Sequence, residues 1–197
     1  TETMDEETRL ARLDAHLCDL KELQIRDGLH ILGESPEGDL LMDLLVALAR
    51  VPRGNRPEQQ SLQRAIASDL GFEGFDPLDC DFAAPWQQGR PELLAKVLEA
   101  PWRSQGDTVE RIELLAREIV AGNRGVPEAW QSTLAVLDDL NQVLRPAVAG
   151  SGHAETRAVL TALEGGFVAP GPSGAPSRGR PDVLPTGRNF YSVDVRA

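Results

Sequence analysis

Leucines recur at alternating steps of three and four residues near the start of the chain, at Leu10, Leu13, Leu17 and Leu20. Because an α-helix completes a turn every 3.6 residues, this spacing places the four side chains on one helix face, with acids and arginines on the other faces. The pattern predicts an amphipathic helix over residues 5–25 that packs along one side.

Six further helices are predicted before residue 164. In each, Leu, Ile, Val or Ala recur with a helical period between residues that favour helix ends, chiefly proline and acids at the start and glycine or a following proline at the end. The expected helices cover about 37–50, 58–70, 91–98, 107–121, 127–145 and 154–163. The first of these is apolar on nearly every side, so we expect it to be buried centrally.

Specific residues are expected to mark three helix ends. Ser35, followed by Pro36, is the candidate N-cap of the helix at 37–50. Asp107 and Glu110 have the spacing of a capping box at the start of a later helix. Pro146 is expected to end the helix that begins at 127, because proline cannot continue the ladder of helical hydrogen bonds.

Two stretches lack a helical period. Residues 71–90 mix Gly and Pro with aromatic residues, and they predict a long loop that is held down by its aromatic side chains: Phe72, Phe75, Phe82 and Trp86. Residues 165–191 hold six glycines and five prolines, which excludes a regular helix or a central strand. The predicted fold is therefore mostly α: a multi-helix region over 1–164, followed by an irregular Gly/Pro/Arg-rich segment over 165–197.

Composition excludes several classes of protein. Aromatic residues make up only 5% of the chain, which favours helix packed on helix over a sheet-rich fold. No stretch approaches the ~20 apolar residues of a membrane-spanning helix, so we expect no membrane partner. The two cysteines, Cys18 and Cys80, cannot build a multi-disulfide framework, and a reducing cytoplasm is the expected location.

The distribution of charge gives the C-terminal segment a character of its own. The net charge of −11 argues against nucleic acid as a partner, because phosphate neutralisation needs clustered Lys and Arg. Residues 165–197, however, hold four arginines against only Asp182 and Asp194. Guanidinium groups pair bidentately with carboxylates, and glycine lets the backbone approach a bulky molecule, so the segment suits an anionic ligand. By composition alone, a flexible linker is the commoner interpretation.

The order of residues in this segment resembles a known family. Residues 171–194, GPSGAPSRGRPDVLPTGRNFYSVD, are similar to a signature of the large subunit of aerobic cobaltochelatases, the CobN family. The LPTGRN core at 184–189 is also similar to the LPTGKN-type stretch of the magnesium chelatase large subunit. A second block, RDGLHILG at 26–33, with LARVPRG at 48–54, is similar to CobN as well. Since subunits of this family are far longer, we expect an internal fragment.

The resemblance implies a reaction and a division of labour. The family's enzyme is a ligase that forms nitrogen–metal bonds: it inserts Co²⁺, as substrate, into hydrogenobyrinic acid a,c-diamide in cobalamin biosynthesis. Separate AAA+-type subunits handle ATP and Mg²⁺. The chain contains no G-x-x-x-x-G-K-[ST] phosphate-binding string, which agrees with a partner that handles the nucleotide. We therefore expect a tetrapyrrole-binding portion of the complex that is inactive alone.

Five residues of the signature segment are expected to contact the substrate. The arginines would meet its peripheral carboxylates, with hydrogen-bonding or stacking neighbours beside them: Arg178, Arg180, Arg188, Asn189 and Tyr191. The alternative is that the arginines pair with acids such as Asp182 and Asp194, or with the helical region, whose net charge is −13, and hold the segment in place. Two other functions for the whole chain also stay open. It could be a non-catalytic module that docks the ATPase subunits through its acidic helices, or a relative of the magnesium chelatase large subunit.

Other candidates carry weaker signals. His30 is a weak catalytic candidate, as a proton acceptor or transient cobalt ligand, but a lone His between Leu and Ile is more often structural. His16 and His153 have no partner that spacing alone can name. An acidic loop could hold a cation, yet its spacing matches no metal motif: Asp76, Asp79, Cys80 and Asp81. Three tryptophans could stack on a tetrapyrrole, but core anchors are the better interpretation: Trp86, Trp102 and Trp130. No metal-ligand set is predicted.

Overall fold

A computed structural model describes residues 31–191 of the chain, with side chains through residue 189. The predicted helix at 5–25 lies outside the described residues. So do several individual residues named above: His16, Cys18, His30 and Asp194.

Helices make up most of the described part before residue 164. They are α1 (Gly38–Arg50), α2 (Leu62–Asp69), α3 (Glu92–Ala95), α4 (Gln105–Val120), α5 (Gln131–Asp139), α6 (Arg145–Ala149) and α7 (Ser151–Leu163). A π-helical turn, Leu140–Leu144, joins α5 to α6, and short 3₁₀ turns occupy Pro57–Gln59, Pro176–Arg178 and Pro181–Val183. All six helices predicted within the described residues are present.

The glycine- and proline-rich segment after α7 contains only short regular elements. Two three-residue strands, β1 (Pro170–Pro172) and β2 (Asn189–Tyr191), pair in parallel, with Gly171 opposite Phe190. Together with the helices before it, this segment confirms a mostly α fold that ends in an irregular Gly/Pro-rich stretch.

The hydrophobic core lies where α1, α2, α4 and the α5–α6 helix meet. Helix α1 contributes side chains with no exposed area, Leu45 and Leu48, and they pack in one cluster with Ile66 of α2 and Leu115 of α4. The prediction of a centrally buried helix therefore holds for the C-terminal half of α1. Its first turn is different, because Leu40 is 60% exposed.

Aromatic side chains hold the loop at 71–90 against the core. Phe72, Phe75 and Trp86 contact one another edge to face, with ring centroids 4.8–6.1 Å apart, and Trp86 stacks on Trp102 at 6.2 Å. Phe82 is the exception: its ring is 58% exposed, and its backbone carbonyl accepts a hydrogen bond from the Gly106 amide instead. The tryptophans are core anchors, since each is at most 9% exposed: Trp86, Trp102 and Trp130.

Two helix starts differ from the sequence prediction. Glu37, and not Ser35, precedes α1, and it makes no side-chain cap. The Ser35 hydroxyl instead donates to the carbonyl of Ala149 and accepts from the amide of Gly152. A serine hydroxyl caps whichever free backbone groups tertiary packing brings near it, and here these belong to the junction of α6 and α7.

The capping box of α4 lies one turn earlier than predicted. Ser104 is the N-cap, and its hydroxyl accepts from the Asp107 amide while the Asp107 carboxylate accepts from the Ser104 amide. Asp107 is thus the third helical residue of the box and not its cap. Both spacings satisfy the motif, and the extended backbone of Ser104 decides between them, since a cap must stand outside the helix.

Pro146 does not end the helix that begins in α5. The π-helical turn at Leu140–Leu144 widens the helix just before it, and Pro146 lies in the first turn of α6. A wide turn relieves the clash of a proline ring with the preceding turn, and it changes which carbonyls need a partner. The helical path therefore continues to Ala149, and α7 starts at Ser151 with only Gly150 between them.

Candidate functional site

The first turns of α7 bring together two segments that are far apart in sequence. Glu155 of α7 is only 4% exposed, and its carboxylate accepts hydrogen bonds from the Gly33 amide, at 2.9 Å, and from the Thr186 hydroxyl. Gly33 ends the RDGLHILG block, and Thr186 lies in the LPTGRN core. The described parts of the two blocks that carry the family resemblance therefore meet at one buried carboxylate.

Neighbouring hydrogen bonds reinforce this junction. The Gly152 amide donates to the Ser35 hydroxyl at 3.0 Å, and the Thr186 amide donates to the Ser151 hydroxyl at 3.2 Å. The backbones approach so closely that only glycine fits at two positions. A Cβ on Gly152 would lie 2.5 Å from the Gly33 carbonyl oxygen, and one on Gly187 would lie 2.6 Å from the backbone of Ala154. Gly187 also has a φ of +88°, which disfavours any residue with a Cβ.

An open cleft of about 300 Å³ lies beside this junction, between α7 and two stretches of the Gly/Pro/Arg-rich segment at 165–197. One wall is the side of α7 that carries His153 and Arg157. The other is formed by residues 167–169 and 185–188, with Phe167 and Arg188 at its rim. No Asp or Glu lines the cleft. The only ionisable groups in its lining are therefore a histidine and two arginines.

His153 and Arg157 contact each other on α7, and Arg188 lies against the backbone of β1. Arg157 Nη2 lies 3.0 Å from His153 Nε2, one turn earlier on α7. Because a guanidinium can only donate, His153 Nε2 is the acceptor of this contact. The aliphatic part of Arg188 crosses Gly171, where a Cβ would overlap it. Among the described residues, no hydrogen bond or ion pair joins Arg157 or Arg188 to a carboxylate, although the charge of Arg188 helps to lower the pKa of Asp182.

Of the five residues predicted to bind substrate, the structure places one in this cleft, Arg188. Arg180 instead forms a two-pronged ion pair with Asp182, at 2.9 Å for both contacts, as the alternative interpretation anticipated. This hydrogen-bonded pair raises the pKa of Arg180 and lowers the pKa of Asp182. Arg178 is exposed in a 3₁₀ turn, and a Cβ on the next residue, Gly179, would lie 2.8 Å from the carbonyl oxygen of Pro52.

The other predicted residues have different positions. Asn189 holds the segment together, because its side-chain amide donates to the carbonyl of Val168 at 2.8 Å and its backbone amide donates to Ala169. The backbone of Tyr191 pairs with Pro172. His30 lies outside the described residues.

Sequence analysis missed Arg157 and Glu155 and left His153 without a partner. One signal was available: His153 and Arg157 are four residues apart, the spacing of neighbours on a helix face. The predicted start of the last helix, at residue 154, left His153 outside it and hid the pair. For Glu155 no local signal exists, because its partners are 122 and 31 residues away.

The acidic loop at 76–81 is organised by an arginine. Arg64 donates to both carboxylate oxygens of Asp76, at 2.6–3.1 Å, and this hydrogen bonding lowers the pKa of Asp76. Burial, followed by the charges of Asp76, Asp81 and Asp79, raises the pKa of the Cys80 thiol. In the part of the chain that the structure describes, no group of three or more His, Cys, Asp or Glu side chains has the arrangement of a metal site.

Between residues 31 and 191, none of the helices is both long and apolar enough to span a lipid bilayer.

Comparison with known proteins points to one family over the whole chain. The family model described as CobN/Magnesium Chelatase matches residues 1–197. The chain is 57% identical, over 95% of its length, to the aerobic cobaltochelatase subunit CobN of Sinorhizobium sp., and 53% identical, over 98%, to that of Pseudomonas aeruginosa. It spans 16% of the length of each.

A more distant relative is the chloroplastic magnesium-chelatase subunit ChlH of rice, at 24% identity over 95% of the chain and 15% of the relative. No solved structure matches the chain.

Proposed function

The chain belongs to the CobN/magnesium chelatase family, and from this premise we propose that it is part of the tetrapyrrole-binding subunit of an ATP-dependent cobaltochelatase. The reaction is the insertion of Co²⁺ into hydrogenobyrinic acid a,c-diamide in cobalamin biosynthesis. Cobalt is favoured over magnesium because identity to the two cobaltochelatase subunits is 57% and 53%, against 24% for the magnesium-chelatase subunit.

The observation that carries this proposal is the docking of the signature segment on α7. Thr186 and Gly187 are tied to the first turns of α7, and Leu184 packs against the hydrophobic core. A flexible linker would make no such contacts, whereas a chelatase must hold a large macrocycle in a defined position while metal enters and N–H protons leave. The docked segment presents Arg188 at the rim of an open cleft.

The residues named from the sequence take different parts in the proposal. Arg188 contacts the substrate. Asn189 holds β2 beside β1, because its side-chain amide donates to the carbonyl of Val168, just before β1. Arg178, which is exposed, is a second proposed contact for an acid group of the substrate, and Arg180 contributes only when its ion pair with Asp182 opens. Tyr191 remains a proposed neighbour of the macrocycle, and His30 a proposed proton acceptor.

The remaining parts of the reaction belong to partners in this proposal. AAA+-type subunits bind ATP and Mg²⁺, since the chain lacks a phosphate-binding loop. The chain itself binds the corrin precursor without completing the reaction, and the complex works in the cytoplasm. The competing function is a module that docks the ATPase subunits through its acidic helices, in keeping with the net charge of −11.

Ligand titration separates these functions. The purified chain is titrated with hydrogenobyrinic acid a,c-diamide, then with protoporphyrin IX, and binding is followed by the absorbance of the macrocycle. We expect saturable binding of the corrin precursor and weaker binding of the porphyrin. Preference for protoporphyrin would favour a magnesium-chelatase relative. Binding to the ATPase subunits with no macrocycle binding would overturn the proposal in favour of the docking module.

A further inference from the structure

Three basic side chains from two segments share the cleft between α7 and residues 185–188. We infer that this cleft is a carboxylate-binding subsite in which Arg157 and Arg188 grip one peripheral acid side chain of the tetrapyrrole, with His153 as the positioning residue for Arg157. The inference rests on the proposed function and names the part of the substrate that the chain contacts.

The charge of the cleft differs from that of the chain around it. The whole chain carries a net charge of −11, yet two arginines line the cleft without any Asp or Glu in its lining. Exposed arginines elsewhere in the described part are commonly paired, as Arg117 is with Asp43 and Arg180 with Asp182. Asp182, which is already paired with Arg180, is close enough to Arg188 for their charges to interact, but it does not line the cleft. The two guanidiniums of the lining therefore favour an anion that fits their planar forks.

Each of the two arginines is exposed and has one contact that restricts its direction. The stem of Arg188 lies across Gly171, a buried glycine, so the guanidinium is directed by the backbone of β1. Arg157 is held by its hydrogen bond to His153, one turn away on the same helix. Side chains that are already ordered lose less conformational entropy on binding, which strengthens the contact with a carboxylate.

The size of the cleft selects a side chain and not a whole ring. Pockets that enclose a drug-sized ligand hold about 300–1,000 Å³, and this cleft lies at the lower limit, about 300 Å³. A corrin ring is larger than such ligands, so only its edge and one of its peripheral carboxylate side chains fit into the cleft. At the rim, Phe167 is 82% exposed and offers an apolar surface on which the edge of the macrocycle rests.

The test compares an acid ligand with its uncharged form. Affinities for hydrogenobyrinic acid a,c-diamide and for its methyl ester are measured with the wild-type chain and with Arg157→Ala, Arg188→Ala, the double variant and His153→Ala. Arg56→Ala is the matched control, because this exposed arginine lies in another part of the fold and pairs with Glu58. Melting temperature is recorded for each variant.

We expect the double variant to bind the acid at least tenfold more weakly than the wild type, while its affinity for the ester changes less than twofold. His153→Ala should weaken binding of the acid about threefold, again without an effect on the ester, which a merely structural role would not produce. Arg56→Ala should leave both affinities unchanged.

A second readout uses tricarballylate, a small carboxylate probe, in place of the macrocycle. Arginine Nε–H signals are followed by NMR, and those of Arg157 and Arg188 should shift together. Corrin binding that survives the double variant, with no shift at these two arginines, overturns the carboxylate subsite and leaves the proposed function standing. Arginine shifts with tricarballylate but no corrin binding by the wild-type chain count against the proposed function, and against the tetrapyrrole as the ligand of this cleft.

Discussion

The buried carboxylate of Glu155 accepts a hydrogen bond from the hydroxyl group of Thr186, a residue 31 positions later in the chain. The same carboxylate accepts from the amide of Gly33, 122 positions earlier. A carboxylate with so little contact with water needs these donors, because an unsatisfied buried charge is strongly destabilising. The contact therefore couples the stability of α7 to the position of the signature segment.

Replacing Thr186 by valine removes this donor and keeps the shape of the side chain. We expect Thr186→Val to lower the free energy of unfolding by about 1–3 kcal/mol, because Glu155 is left one hydrogen bond short. Urea denaturation followed by circular dichroism measures the change. Thr186→Ser, which keeps the hydroxyl, should cost clearly less; equal losses in the two variants would show that the hydrogen bond contributes little.

Alanine at Gly187 tests how closely the signature segment must approach α7. Gly165 is the matched control, since it has a similar positive φ, +76° against +88°, but open space where a Cβ would stand. Gly165→Ala should cost only the conformational strain, about 1–2 kcal/mol. Gly187→Ala adds the overlap with Ala154 and should cost at least about 1 kcal/mol more. Thermal melts of both variants measure the difference. Similar melting temperatures would argue against a close approach of Gly187 to α7.

Arg111 is a buried cation whose partners are backbone carbonyls. It is 1% exposed, donates to the carbonyls of Asp107, Leu98 and Ala100, and lies with its Cζ 5.0 Å from the centre of the Trp102 ring. Lysine keeps the charge but cannot present the planar fork, so several of these groups lose their partner.

We expect Arg111→Lys to reduce the free energy of unfolding by at least about 2 kcal/mol. Arg117→Ala, on the same helix but 56% exposed and paired with Asp43 at the surface, should change it by less than about 1 kcal/mol. Denaturant unfolding of the two variants side by side makes the comparison. A lysine variant as stable as the wild type would contradict a structural role for the guanidinium fork.

The capping box of α4 should make stability depend on pH through Asp107. Hydrogen bonds from the amides of Arg103 and Ser104 hold the pKa of Asp107 below its usual value. A carboxylate with a lower pKa in the folded state stabilises the fold above its unfolded pKa of about 3.9, and this stabilisation is lost as pH falls through the folded pKa.

Asp107→Asn should therefore lower the free energy of unfolding at pH 7, by at most about 1 kcal/mol because water screens this carboxylate. The gap between variant and wild type should narrow below about pH 4. Urea titrations at pH 7, 5 and 3 test the sign, and a gap that widens in acid would refute it.

The chain is expected to hydrolyse no ATP. It lacks the glycine- and lysine-containing loop that cradles phosphates in P-loop ATPases, so the purified chain should release phosphate no faster than buffer. A coupled phosphate assay measures this, with AAA+-type ATPase subunits as the positive control. Turnover that follows the protein through a second purification step would contradict the proposed division of labour.

Periodicity and helix-end residues correctly predicted the six helices that lie within the described residues, and the errors fall at their ends. The apolar spacing along α1 and α4 reports which face meets a core, and that information is local. The partner of a cap is not local: Ser35 has the right residue type for an N-cap, but its hydroxyl serves Ala149 and Gly152. The rule that proline ends a helix is also local, and it failed at Pro146 because the π-helical turn before it makes room for the proline ring.

By itself the sequence determined the mostly α fold, the family, and the presence of an arginine-rich segment after the helices. These properties depend on residue order and type over short stretches. Only the tertiary structure decided which arginine lines a cleft. Arg188 and Arg180 are chemically equal, but folding places Arg188 across Gly171 and beside α7, and it does not bring Arg180 there. The same is true of Glu155, whose role as a junction arises when the chain folds back to bring Gly33 and Thr186 to one side chain. Contacts between residues so far apart depend on the packing of every helix between them, and no local pattern records that packing.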